Sequence, residues 1–150
     1  MKQTKEIFEE FISQKDKISC KELDEFFTGL KPVKIEEMIG EWQGGNLFTE
    51  SKWWRLFFKN FIGFKWYGKK FLDSNNVQAQ IWSFLGKIKF NIPGGTAFLR
   101  RLEFRDKVST SMIYNYLPIV DNFRKVNDDT VMAIMEIKGK VSIYFYLKRI

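Results

Sequence analysis

The chain has 150 residues, of which 45% are hydrophobic and 17% aromatic, and this composition excludes a disordered chain. Its 25 basic and 18 acidic residues give a net charge of +7, but they are interspersed, which indicates a mildly basic surface. The single cysteine, Cys20, and the absence of histidine exclude an intramolecular disulfide, a cysteine-based metal site and any catalytic triad that contains histidine.

The length predicts one domain, 1–150, which we divide into N-terminal helices over 1–34 and a β-barrel over 35–150. The N-terminus passes directly into charged amphipathic sequence and lacks the apolar core of a signal peptide. No apolar run approaches the ~18 residues that a membrane-spanning helix needs. We therefore expect a cytoplasmic protein without a transmembrane segment, and we predict no metal or cofactor.

Two short helices are predicted before the barrel. Apolar residues at helical spacing favour an amphipathic helix over 3–14. Ser19 stands three residues before Glu22, which is the spacing of a capping box, and Gly29 is placed to end the second helix. Both helices are expected to lie outside the barrel.

A tryptophan between glycines marks the predicted transition from helices to strands, in the sequence Gly40-Glu41-Trp42-Gln43-Gly44. Glycine weakens a plain strand, so a pair of glycines around Trp42 predicts a bend or a close approach of another backbone. We expect Trp42 to seal one end of the barrel.

The next segment, 51–58, is apolar nearly all round and includes Trp53 and Trp54. It is either buried or a lid over an opening, and the sequence leaves both readings open. A strand is then predicted from Phe64 to Leu72, followed by a polar turn and by an apolar stretch from Val77 to Ile92.

From residue 96 onward apolar residues alternate with polar ones, which is typical of strands. Short turns at Asp106-Lys107, 127–129 and 138–140 join successive strands, and such strands pair as antiparallel neighbours. A series of them protects its edges by curling closed. The sequence therefore predicts a mainly β protein built on an antiparallel up-and-down barrel.

Arg100 is the main candidate for a binding residue, because it shares a predicted strand face with Phe98, Leu102 and Phe104. If that face is the interior, the buried cation needs a partner, such as the hydroxyls of Tyr114 and Tyr116 or an anionic ligand. The alternatives are a structural pair with Asp121 or Glu136, or an outward position. The ligand-binding set is Arg100, Tyr114, Tyr116, Met112, Phe98 and Trp66.

Arg149 is a second candidate for the interior, since it continues the alternation of the last strand. In a closed barrel the last strand lies beside the first, so Arg149 is expected over Trp42 in a cation–π contact. We predict that Gly40, Trp42, Gly44 and Arg149 serve closure of the barrel.

Four motifs in order resemble a known family. They are Gly40-x-Trp42-x-Gly44 with an arginine near the C-terminus, then 66–71, 112–126, and the pair 135–139 and 144–149. This set is similar to GXWXG-motif proteins with an attached domain of unknown function, over about residues 23–150. The resemblance implies a lipocalin-like (calycin) barrel that binds a small hydrophobic molecule.

The densest motif of that family corresponds to 118–124 here, where Asp121 and Arg124 are expected to form an ion pair at a corner. The chain departs from its relatives at Ser51 and Gln78, near which they tend to have histidine. It also departs at Asn127 and Glu136, where they tend to have aspartate. No role that depends on histidine carries over.

The sequence thus predicts non-enzymatic binding of a small hydrophobic or amphipathic molecule, expected to be anionic, inside the barrel. One alternative is an enzyme that uses Tyr, Asp or Lys as acid or base on a hydrophobic substrate. Another is an anionic membrane or nucleic-acid surface binder that uses the net charge with Trp53 and Trp54; nucleic acid is the less favoured partner.

Overall fold

The computed structural model describes residues 3–14, 17–49 and 63–150, with the backbone alone at residues 48 and 49. The helices are α1 (Thr4–Ser13), α2 (Cys20–Gly29) and α3 (Ile35–Met38). The strands are β1 (Lys31–Pro32), β2 (Gly40–Thr49), β3 (Phe64–Asp73), β4 (Asn76–Phe84), β5 (Ile88–Asn91), β6 (Thr96–Phe104), β7 (Lys107–Tyr114), β8 (Ile119–Asn127), β9 (Thr130–Ile137) and β10 (Lys140–Arg149). The predicted lid at 51–58, with Trp53 and Trp54, lies outside the described residues.

The capping box predicted for the second helix is confirmed. The Ser19 hydroxyl accepts a hydrogen bond from the Glu22 amide at 3.2 Å, and the Ser19 amide donates to the Glu22 carboxylate at 3.0 Å. Together these contacts satisfy backbone donors that a helix start leaves without partners. The helix therefore begins where the sequence places it.

Eight antiparallel strands form a closed barrel, as the alternating sequence predicts. Their order is β2-β3-β4-β6-β7-β8-β9-β10, and β10 pairs with β2 to close the sheet. Consecutive barrel strands are neighbours in the sequence, apart from β5, which pairs with β4 outside this path. This is the up-and-down barrel, calycin-like in its topology, with short helices at its N-terminal side.

Two apolar clusters stabilise the fold, one inside the barrel and one between its wall and the helices. Strand β9 contributes to both, because Val131, Ala133 and Met135 face inward while Met132 and Ile134 face α1 and α2. The helices supply Phe8, Leu23 and Phe27, which are 0% exposed. A strand that is covered on both faces has a continuous apolar sequence, so the alternation of polar and apolar residues that identifies other strands is lost.

Trp42 and α3 close one end of the barrel. The indole Nε1 of Trp42 donates to the Met38 carbonyl at 2.7 Å. Arg149 is the register partner of Trp42, and its guanidinium carbon lies 4.2 Å from the indole centroid. Its two terminal nitrogens also donate to the carbonyls of Ile39 and Glu37. The predicted contact between Arg149 and Trp42 is confirmed.

None of the described helices has the length and apolar composition that crossing a membrane would need.

Candidate ligand-binding site inside the barrel

A β-bulge in β3 turns a lysine into the barrel. The pairing of β3 with β4 shifts between Trp66 and Gly68, so that Lys69 faces the same side as Trp66. A Cβ atom on Gly68 would lie 2.0 Å from the carbonyl oxygen of Trp42, so only glycine lets β2 approach here. Bulges of this kind re-aim a side chain, and Lys69 is 1% exposed as a result.

Three strands other than its own supply the partners of Lys69. Its ammonium lies 3.2 Å from Asp121 Oδ2 on β8 and donates to the Tyr114 hydroxyl on β7 at 3.1 Å. A third contact, at 2.9 Å, goes to the carbonyl oxygen of Ala79 on β4. The ammonium therefore makes two hydrogen bonds, to β4 and β7, and one ion pair, to β8.

Tyr114 and Gln80 extend this polar cluster. The Tyr114 hydroxyl accepts a hydrogen bond from Gln80 Nε2 at 2.7 Å, in addition to the one from Lys69. A hydroxyl that accepts two hydrogen bonds still has its own proton to donate. The interior cluster, as we call Lys69, Gln80, Tyr114 and Asp121, thus contains a hydroxyl proton that can be donated to a further group.

Asp121 is the least satisfied member of the interior cluster. It is 0% exposed, and neither carboxylate oxygen makes a hydrogen bond of good geometry within the described residues. Its electrostatic partner is Lys69, at 3.2 Å. A buried acceptor without a donor is destabilising, and native proteins rarely leave one so unless it serves a purpose.

Burial shifts the ionisation of the interior cluster. It raises the pKa of Asp121, because a charged carboxylate loses its hydration, and the nearby Lys69 opposes this rise. Burial likewise raises the pKa of Tyr114. For Lys69 burial alone would lower the pKa, but Tyr114 and Asp121 raise it above its ordinary value. At neutral pH the charged lysine therefore faces a carboxylate that is harder to ionise than usual.

Aromatic rings surround the ammonium group. Lys69 Nζ lies 5.5 Å from the Trp66 ring centroid and 5.3 Å from that of Phe145, and these two rings meet edge to face at 5.7 Å. Cation–π attraction supplements the ion pair in this setting. Met112 is also part of the interior, with 0% exposure. The cluster is thus a small polar site in an apolar, aromatic enclosure.

A cavity of about 320 Å³ lies beside this enclosure, and residues of α1, β2, β3 and β10 line it. It lies where β2 and β3 separate, because their described pairing ends at Gln43 and Gly68. Gly44, Lys65 and Trp66 are among its lining residues. Trp66 lines both this cavity and the interior, and a Cβ on Gly44 would lie 2.3 Å from its ring. Gly44 therefore makes room for the Trp66 side chain.

The structure brings three of the predicted binding residues together and separates the other three. Trp66, Met112 and Tyr114 face the interior as expected. Tyr116 is 78% exposed in the turn after β7, and Phe98 is half-buried outside the interior cluster.

The inward placement of Arg100 is wrong. Its side chain is exposed and donates to the Asn75 side chain at 3.0 Å, while Ala97 and Leu99 are the β6 residues that face inward. The face that contains Arg100 is apolar for another reason. Phe104 at its end packs against Phe27 of α2, with ring centroids 6.0 Å apart.

The predicted ion pair between Asp121 and Arg124 is also wrong. The two residues are three apart on β8 and therefore lie on opposite faces of the sheet. Asp121 pairs with Lys69 inside, whereas Arg124 donates to the Phe104 carbonyl at 2.5 Å and lies over the Phe27 ring. Arg124 thus anchors α2 to the outside of the barrel.

Lys69 was not among the predicted site residues, because strict alternation from Phe64 to Leu72 groups it with Lys65, Tyr67 and Phe71 on the face opposite Trp66. The signals that would have identified it are Gly68, a glycine inside a strand, and Phe71, an inward residue on the same parity. Among the described residues, no group of three or more His, Cys, Asp or Glu side chains could hold a metal ion.

An eight-stranded up-and-down barrel with its polar site enclosed by aromatic rings belongs to the calycin-like class of folds. The sequence matches the family model "GXWXG protein" over residues 25–83 and "Domain of unknown function (DUF4334)" over residues 95–149. The chain belongs to this GXWXG family with an attached DUF4334 domain.

A solved structure supports that assignment over nearly the whole chain. It is described as a crystal structure of a protein from Thermomonospora curvata and is 31% identical to this chain. The match covers 98% of each chain with a TM-score of 0.84. No curated protein matches the sequence.

Proposed function

We propose that the barrel binds a small amphipathic molecule, with its polar head at the interior cluster and its tail against the aromatic enclosure. The observation that carries the proposal is the fully buried Asp121 carboxylate: among the described residues its Oδ2 atom faces the Lys69 ammonium at 3.2 Å, and its Oδ1 atom has no hydrogen-bond donor. A hydroxyl, amide or acid proton on a ligand would supply that donor. The Tyr114 hydroxyl is placed to donate in return.

The charge balance of the cluster favours an uncharged head group. Lys69 and Asp121 neutralise each other at 3.2 Å, and Arg100 is outside. An anionic head group, which the sequence suggested, would have to displace Asp121 from Lys69 or enter with a proton. We therefore propose a hydroxyl, an amide or a protonated carboxylic acid as the head group.

We propose that the ligand enters at the cavity between β2 and β3, because Trp66 lines both that cavity and the barrel interior. Passage from the cavity to the cluster requires the Trp66 ring to rotate. Trp66 fluorescence is therefore the expected reporter of binding.

The same cluster supports a second candidate function, an enzyme that uses Lys69, Asp121 and Tyr114 for proton transfer. These are the residue types that the enzyme alternative requires, and they lie within 3.2 Å of one ammonium group. An enzyme would convert its hydrophobic substrate, whereas a binding protein would release it unchanged. Mass analysis of the recovered compound distinguishes the two.

The test is a fluorescence titration with an alcohol, a carboxylate and an alkane of equal chain length. We expect the alcohol to bind most tightly, and Tyr114→Phe to weaken its binding about five- to tenfold, which is one neutral hydrogen bond. Tyr116→Phe and Arg100→Ala are matched controls on exposed residues and should bind as the wild type does. If Arg100→Ala weakens binding and Tyr114→Phe leaves it unchanged, the interior site is wrong.

A further inference from the structure

The hairpin formed by β4 and β5 projects from the barrel wall. Only Val77 and Gln78 of β4 pair with β6. The C-terminal part of β4, residues 81–84, pairs instead with β5 and with the start of β3. Within the described residues β5 has no second partner strand. The three strands therefore form a flap that leaves the cylinder at the end where β3 begins.

The end of this flap is apolar and exposed. Leu85 and Ile88 are 65% and 62% exposed, and Phe64 and Phe90 are 37% and 38% exposed. The Phe64 ring contacts the rings of Phe84 and Phe90, with centroids 4.8 and 6.0 Å apart. We call Phe64, Phe84, Leu85, Ile88 and Phe90 the hairpin tip. A contiguous exposed apolar patch of this kind marks an interaction site.

The conformation of Leu85 strengthens this inference. Its φ of +50° places it in the left-handed region, where glycine and asparagine are the usual residues. The end of its side chain lies beside Gly63, but most of the side chain is in contact with solvent. A large aliphatic residue kept in a strained, exposed position points to a role outside the folded chain.

Positive charge accompanies the hairpin tip. Lys65 on β3, Lys87 in the turn between β4 and β5, and Lys89 on β5 are all exposed. The sequence has no acidic residue between Asp73 and Glu103, and Glu41 on β2 is the acid whose charge reaches Lys89. The tip thus combines aliphatic and aromatic side chains with a basic border.

We propose that the hairpin tip docks on an anionic lipid bilayer. Leu85, Ile88 and the phenylalanines enter the boundary between head groups and acyl chains, and the lysines contact the anionic head groups. A projecting tip with aliphatic ends and several lysines suits a bilayer better than a protein interface, in which lysine is depleted. This proposal is independent of the interior cluster.

The test is co-sedimentation with vesicles of phosphatidylcholine, with and without phosphatidylglycerol. Leu85→Asn suits a positive φ and Ile88→Thr keeps a β-branched residue, so both variants should fold. Leu72→Thr, at the other end of β3 and 50% exposed, is the matched control. We expect binding to anionic vesicles that falls with added salt, about tenfold weaker for each tip variant and unchanged for the control.

Two results would overturn the proposal. The first is a failure of the vesicle assay. Either the wild-type protein does not sediment with either kind of vesicle, or the tip variants sediment as well as the wild type. The second is concentration-dependent self-association of the wild type that the tip variants abolish, without vesicle binding. That result would assign the tip to a second copy of this chain.

Discussion

Arg149 lies over Trp42, with its guanidinium carbon 4.2 Å from the indole centroid, where the last strand meets the first. The same guanidinium donates to the carbonyls of Ile39 and Glu37 next to α3. One side chain thus joins β10, β2 and the helix that covers the end of the barrel. Closure of the sheet and sealing of its end are therefore coupled.

Replacing Arg149 with alanine should destabilise the protein without affecting the interior cluster. We expect the free energy of unfolding in urea to fall by about 2 to 4 kcal/mol, from a lost cation–π contact and lost charge-assisted hydrogen bonds. Arg101→Ala, on the exposed face of β6, is the control and should change little. Normal stability together with lost ligand binding would contradict the closure role.

The pair of Lys69 and Asp121 should show strong coupling in a double-mutant cycle. Lys69→Met or Asp121→Leu alone leaves one buried charge unpaired, which should cost about 3 to 5 kcal/mol of unfolding free energy. The double variant removes both charges and should recover most of that loss. Additive losses would show that the two side chains do not pair in the folded protein.

Gly68 should tolerate no side chain. The Cβ of Gly68→Ala would lie 2.0 Å from the Trp42 carbonyl oxygen, so β2 and β3 would have to separate. We expect a loss of at least about 3 kcal/mol in unfolding free energy. Gly29→Ala is the control, since a Cβ there meets nothing within 4 Å. Equal melting temperatures for the two variants would refute the close contact at the bulge.

Stability should fall in alkaline solution. Burial raises the pKa of Tyr144 above its ordinary 10.0, with a further contribution from its hydrogen bond to Asp24, and the pKa values of Tyr114 and Lys69 are also raised. Above about pH 10 the unfolded chain therefore loses protons that the folded chain retains. This stabilisation is complete below pH 10 and is lost as the pH rises.

The measurement is the urea unfolding free energy between about pH 9 and 11.5. Each group contributes up to about 1.4 kcal/mol per pH unit to the decline. Tyr144→Phe should make the decline shallower by about one group, and Tyr116→Phe, on an exposed residue, should not. Identical slopes for the wild type and Tyr144→Phe would contradict the assignment.

The sequence was sufficient for the architecture, because alternation and short turns define antiparallel neighbours whatever their exact register. It was also sufficient for the contact of Arg149 with Trp42, which follows from closure of the barrel. The interior cluster could not be predicted from the sequence, for a physical reason. The bulge at Gly68 reverses the alternation of β3, so that Lys69 faces inward from a stretch that reads as polar.

Arg100 was misplaced for a different reason. The helices cover part of the outer wall, and there the outward residues are as apolar as the inward ones. Phe104 on β6, which packs against Phe27, is one of them. A pattern of two apolar faces does not tell which face is the interior, and only the packing of α2 resolves it.

Native mass spectrometry of the protein purified gently from its own host tests the central claim most directly, alongside the Lys69→Met/Asp121→Leu variant expressed in the same way. We expect a wild-type complex with one small amphipathic molecule, which denaturation releases and the double variant lacks. A wild-type protein without a bound molecule, or an adduct that the folded double variant retains, would contradict binding at the interior cluster.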